Sequence, residues 1–246
     1  MKITYIAHSG FLAELEHTIL LFDYYQGELP ELPDEKMLYV FASHRHPDHF
    51  NPEVFRLAEG RKDVFYVLSR DIWKSRVPES LQDRTVRLKA GEAWKQDGLT
   101  VRTLRSTDEG AAFLAETEGK TLYHAGDLND WRWEGEPEEW NRNMKEKFRR
   151  YIEPLRGKRM DAAFIPLDPR QEDGYAFGLD YFLTLADYRI PEEGAEKIYP
   201  MHCWERYEII ERWLLEHSDS PARDRIVKIS GRGETFLQEK DALMEL

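Results

Sequence analysis

Three of the chain's eight histidines fall within six residues, in Ser43-His44-Arg45-His46-Pro47-Asp48-His49. The segment follows the apolar run Leu38 to Ala42, which has the length and composition of a buried strand. It precedes Asn51-Pro52, a helix-start signature in which Asn caps and Pro takes the first helical position. In an extended segment residues two apart point the same way, so His44 and His46 converge on one point. The turn at Pro47 brings Asp48 and His49 back towards a second point. Imidazole and carboxylate together suit zinc, iron or manganese. A solvated loop capping a strand would have no reason to concentrate these groups.

The rest of the chain is consistent with an α/β fold built from many short strands. Strands are expected at Lys2 to Ile6, Phe11 to Leu15, Thr18 to Phe22, Val64 to Leu68, Thr85 to Leu88, Leu99 to Leu104, Ala112 to Glu116 and Thr121 to Tyr123. Asp161 to Ile165 and Lys197 to Met201 add two more. Ile226 to Ile229 and Thr235 to Leu237 read as a closing pair around Gly231-Arg232-Gly233. The strongest helix spans about Glu138 to Leu155, with Trp140, Met144, Phe148, Tyr151, Ile152 and Leu155 on one face. Further helices are expected at Asp180 to Asp187 and Tyr207 to Glu216. With no evident linker or repeat, residues 1–246 read as one domain.

At this point the sequence resembles the metallo-β-lactamase superfamily, whose signature is His-x-His-x-Asp-His after a core strand. Thr121-Leu122-Tyr123-His124-Ala125-Gly126-Asp127 is similar to the family's Gly-Asp element, and Ile198-Tyr199-Pro200-Met201-His202 to its late histidine. Tyr5-Ile6-Ala7-His8-Ser9-Gly10-Phe11-Leu12 is similar to the branch that includes sugar-lactone and phosphodiester hydrolases. The resemblance implies a four-layer αββα sandwich with metal ligands His44, His46, Asp48, His49, Asp127 and His202. It implies one or two divalent metals per chain, zinc first, with manganese and iron as alternatives. It also implies a metal-dependent hydrolase in which a metal-bound hydroxide attacks an ester, lactone or phosphodiester of a small molecule, with Asp48 as the catalytic proton acceptor.

One element departs from the pattern. The loop before the Gly-Asp strand reads Leu104-Arg105-Ser106-Thr107-Asp108-Glu109-Gly110, without the family's third histidine. Either Asp108 replaces it as an oxygen ligand, or Thr107 or Ser106 holds a water there. A degenerate first position is the sole support for the alternative, a non-catalytic metal-binding or regulatory protein. A di-iron oxidoreductase is disfavoured by His46, where such members carry a carboxylate. An amidohydrolase barrel is disfavoured by the hairpin-rich start.

His8 divides evenly between a role near the metals and a plain turn residue, and His124 reads as packed or supporting. Asp168 and Arg170 follow an apolar strand; they are candidates for substrate binding, with a surface loop the better expectation. Trp131, with Asn129 and Trp133, is a candidate lid or substrate wall. The formal charge of −12 disfavours nucleic acid and anionic membranes as partners. The expected partner is a small-molecule substrate. One cysteine, Cys203, rules out an intramolecular disulfide and fits a cytoplasmic location.

Overall fold

The structure, a computed structural model, describes residues 1–190 and 192–238. Thirteen strands are present among them: β1 (Lys2–Ala7), β2 (Gly10–Glu14), β3 (Thr18–Phe22), β4 (Met37–Ala42), β5 (Val64–Ser69), β6 (Thr85–Leu88), β7 (Ala93–Gln96), β8 (Leu99–Arg105), β9 (Ala111–Thr117), β10 (Lys120–His124), β11 (Met160–Pro166), β12 (Ala195–Met201) and β13 (Thr235–Leu237). Three α-helices join them: α1 (Glu138–Ile152), α2 (Phe177–Leu183) and α3 (Glu208–Glu216). The strands form two mixed sheets, ordered β13-β1-β2-β3-β4-β5-β6 and β12-β11-β10-β9-β8-β7. Two mixed sheets with flanking helices are the layered α/β architecture expected from the sequence.

Each sheet buries both faces, so its central strands carry no alternation of polar residues. In β3 every residue is buried. Leu20 and Phe22 enter the core between the sheets, while Ile19 and Leu21 enter the layer outside the first sheet. That outer layer is covered by short 3₁₀ turns, including Pro52–Ala58. The Asn51 side chain caps this turn by accepting the Glu53 N–H.

Helix α1 buries Met144, Phe148 and Ile152 on the second sheet's side. Each such side chain contributes about 1.5–3 kcal/mol. Pro154 ends the α-helix, and a 3₁₀ turn over Glu153–Leu155 completes the predicted span. Trp140 does not join the core: it is 38% exposed.

Three expectations need correction. The helix foreseen at Asp180 to Asp187 runs instead over Phe177–Leu183, because Leu179 and Phe182 supply its buried face and the chain turns at Asp187, whose carboxylate accepts the Arg189 N–H. Ile226 to Ile229 forms no strand. It makes a single bridge, Ile198 to Ile226, and β13 pairs with β1. Finally, β7 was not foreseen, although Asp97-Gly98 marks its hairpin with β8; both residues have positive φ, as a tight hairpin turn requires.

The order of strands decides where chemistry can occur. β3 to β6 run parallel, as do β10 to β12. Their carboxyl ends open onto one rim, where a sheet of this kind presents its ligand site.

Candidate metal centre

Most polar groups of the rim lie within a few residues of the end of a buried strand. His8 follows β1, Asp23 follows β3, Ser43 to His49 follow β4, Asp127 follows β10, Asp168 follows β11 and His202 follows β12. Several carry left-handed backbones rare for non-glycine residues: φ is +53° at His8, +43° at Asp23 and +64° at His202. Such local strain is concentrated at functional sites.

The side chains gather into two adjoining clusters. His44, His46, Asp108 and Asp127 bring one ligand atom each within 4.8 Å of one another. His8, His49 and His202 do the same. Asp127 stands between the two. Its Oδ1 lies 2.8 Å from His202 Nε2 and 3.1 Å from His49 Nε2, and its Oδ2 lies 3.5 Å from His44 Nε2. Asp108 joins the first cluster, with Oδ2 3.5 Å from His46 Nδ1. Asp48 sits outside both groups, at the lip of the cleft, with Oδ2 3.5 Å from His8 Nε2.

Two glycines let the segments meet. Gly126 has φ +51°, and a Cβ there would stand 2.6 Å from Ser43 Cβ. Gly110 has φ +70°, and a Cβ would stand 2.0 Å from the Ser43 carbonyl oxygen. Only glycine lets the loop holding Asp108 and the loop holding Asp127 both close onto the histidine segment.

Behind the histidines lies a layer of orienting groups. The fully buried Asp23 accepts from His49 Nδ1 at 2.7 Å and from Ser43 Oγ at 2.6 Å. Asp168 Oδ2 is 3.5 Å from His202 Nδ1. Asp168 was expected on a surface loop but is fully buried, because Arg170 pairs with both its oxygens and Trp204 Nε1 donates to it. His124 is packed as anticipated: it stacks on Phe22 and its Nε2 is 2.9 Å from the Ser9 carbonyl. Thr107 does not face the clusters through its hydroxyl, which donates to the Asn129 carbonyl at 2.6 Å and so ties the two loops together. Cys203 is packed and buried.

Electrostatics follow from this crowding. Burial pushes the Asp127 carboxyl up, but His49 and His202 outweigh it and hold it well below the usual range. Burial likewise pushes His49 down, yet Asp127 and Asp23 raise it well above an ordinary histidine. Burial, reinforced by His202 and His49, takes His8 down to about 2. Burial and then His49 take His44 to about 4, against the pull of Asp127. Burial and the neighbouring Asp127 raise Asp108.

The donor set fits a divalent cation. Ring nitrogens confront each other across 3.0 Å (His44 and His46) and 3.1 Å (His49 and His202). Asp127 Oδ1 and His8 Nε2 are buried without a hydrogen bond of acceptable geometry among the described residues. Converging lone pairs and a shared carboxylate are costly when left unmatched and favourable around a metal ion.

The clusters open into a cleft of about 380 Å³. Its walls include Trp131, Trp133, Trp140, Met144 and Arg170. Trp131 and Trp133 stack nearly parallel, and Trp131 Nε1 donates to the Asp127 carbonyl at 2.9 Å. Arg170 lies over Trp204 at 4.3 Å. Sequence reasoning missed Asp23, Trp140 and Met144 as site residues. The signal for Asp23 was a lone carboxylate directly after the apolar run Ile19 to Phe22.

Residues 2–138 match the family model described as the beta-lactamase superfamily domain. A UPF0173 metal-dependent hydrolase from Opitutus terrae is 32% identical over 146 residues, covering 52% of this chain and 63% of its own. One of the same description from Carboxydothermus hydrogenoformans is 31% identical over 141 residues, covering 52% and 62%. The match thus spans less than two thirds of either relative. Among solved structures, the metallo hydrolase Igni18 from Ignicoccus hospitalis superimposes with a TM-score of 0.58 at 17% identity, covering 97% of this chain and 99% of its own. The metallo-β-lactamase fold protein YhfI from Bacillus subtilis gives 0.59 at 16%, covering 96% and 99%. These likenesses concern the fold, and the family match covers the histidine segment and Asp127: the chain belongs to the beta-lactamase superfamily, in its metallo-β-lactamase fold.

Proposed function

We propose that this chain is a metal-dependent hydrolase of a small-molecule ester, lactone or phosphodiester. The observation that carries the reading is Asp127, one carboxylate placed between two clusters of imidazoles at the mouth of a cleft. The relatives described as metal-dependent hydrolases support it. His44, His46, Asp108 and Asp127 would hold one ion. His49, His202 and Asp127 would hold the second, completed by His8 or Asp48. Mixed imidazole and carboxylate sets of this kind suit zinc, with manganese and iron as the alternatives. When bound, such an ion supplies an acidified water and polarises the bond under attack.

The chain's own groups do the rest. Asp23 fixes the ring of His49, and Asp168 stands 3.5 Å behind the ring of His202. The tryptophan wall excludes water and packs the substrate's apolar part. Arg170 offers a guanidinium to an anionic substituent. Asp48, at the lip with His8 beside it, is placed to accept a proton and pass it to a leaving group. The absence of a third histidine supports a non-catalytic reading less once Asp108 stands beside His46. The net charge and the cleft carboxylates favour a small substrate over a polyanion, and the lone buried cysteine suits a reducing compartment.

The test is elemental analysis of protein purified without added metal or a histidine tag, followed by a panel of esters, lactones and phosphodiesters. One or two ions per chain are expected, with turnover that chelation abolishes and metal restores. Asp127→Asn and His46→Gln should each lose metal and turnover together. Full metal content and turnover in both variants would overturn the assignment.

A further inference from the structure

A second cavity, of about 400 Å³, lies away from the metal clusters, between the outer face of β8 and the carboxyl-terminal end of α1. This volume is within the range of small-molecule sites. Its floor is apolar: Leu104, Leu114 and Leu155 are buried there. Its rim is cationic. The guanidinium carbons of Arg105 and Arg150 lie 5.0 and 5.1 Å from the Tyr151 ring centroid, and Lys158 completes the edge. Two other charges at the rim already have partners. Arg102 pairs with Glu116 at 2.7 Å, and Glu92 accepts the Lys89 N–H at 2.8 Å. Among the described residues, no carboxylate lies within ion-pair distance of Arg105, Arg150 or Lys158.

This is unusual for the molecule. The chain carries −12 overall, yet Lys145 to Arg159 holds seven cations against two carboxylates. Three unanswered cations around an apolar slot match one ligand chemistry, an anionic head on an apolar body. The apolar floor gives nothing to a bare anion, and the cationic rim gives nothing to a neutral hydrocarbon.

We propose that this slot binds a small amphipathic carboxylate. The head sits between Arg105 and Arg150, and the apolar body lies on the three leucines. The proposal does not depend on the hydrolase reading. It does place the ligand three residues before Asp108, on the helix whose other end supplies Trp140 and Met144 to the cleft wall.

Decanoate below its micelle concentration is the probe, titrated calorimetrically into the full chain. Decanol and inorganic phosphate serve as controls. Arg105→Gln/Arg150→Gln removes the head contacts. Ala93→Trp fills the slot from an exposed edge position and leaves the buried leucines in place. The expected result is saturable decanoate binding, at least tenfold tighter than that of either control. Affinity should fall at least tenfold in both variants, with melting temperature and metal content unchanged. No binding, equal binding of phosphate, or decanoate affinity that survives both variants would overturn the proposal; the last outcome would place the ligand elsewhere, as in the metal cleft.

Discussion

Asp23 touches no cleft wall, yet it holds the Nδ1 side of His49 with a full negative charge in a wholly buried place. A carboxylate there fixes the ring's tautomer and raises the basicity of the opposite nitrogen. Asp23→Asn keeps the shape and removes the charge. It should weaken metal affinity about 10–100-fold, read by competition with a chromophoric chelator; an unchanged affinity would assign Asp23 to packing alone. This residue also marks the limit of what the sequence disclosed. His44, His46 and His49 were legible because their types and spacing are local, and Asp127 and His202 only through the family resemblance of the segments that carry them. Asp108 was legible as one of the fillers of a gap, beside Thr107 and Ser106. Asp23 was not, because its role exists only once β3 lies beside β4 and its side chain meets residues twenty positions on. Asp168 was misjudged for the same reason: nothing local says that Arg170, Trp204 and His202 will enclose it.

The strands and α1 were readable wherever periodicity and a breaker agreed, as at Pro154. α2 slipped because its buried face holds only two large side chains, Leu179 and Phe182, too few to fix a boundary. Pairing was the least readable property, since β13 chose β1 over its sequence neighbour. At this scale ion pairs trim stability. Glu14, on β2, receives Lys36 Nζ at 2.9 Å and also pairs with Lys2 of β1. Burial pushes its carboxyl up, but hydrogen bonds from the two lysines outweigh that and hold it below the usual glutamate value. A depressed carboxyl contributes stability that is present above its unfolded pKa and is lost as pH falls through the folded value. Glu14→Gln should therefore cost up to about 1 kcal/mol at pH 7, with the difference closing by pH 3. Urea unfolding at the two pH values measures it; a gap that widens on acidification would contradict the pairing.

Across the whole molecule, chemistry and assembly occupy opposite ends of the sandwich. At the end away from the metal clusters, the Glu118 carboxylate in the β9–β10 turn accepts the N–H groups of Glu16 and His17 and the Thr18 hydroxyl. It staples one sheet to the other. Glu118→Ala should lower stability by about 1–2 kcal/mol and leave metal affinity untouched; a loss of metal would mean that the two ends are coupled. At the functional end a further division holds. The proposed ligands sit on short connections immediately after strands. The walls of the cleft come from a separate stretch, Trp131 to Met144, and from Arg170. Inheritance can act on these stretches independently. A lineage can exchange the tryptophan segment and redirect the protein to a new substrate while every ligand stays in place, so relatives sharing the histidine signature need not share a substrate.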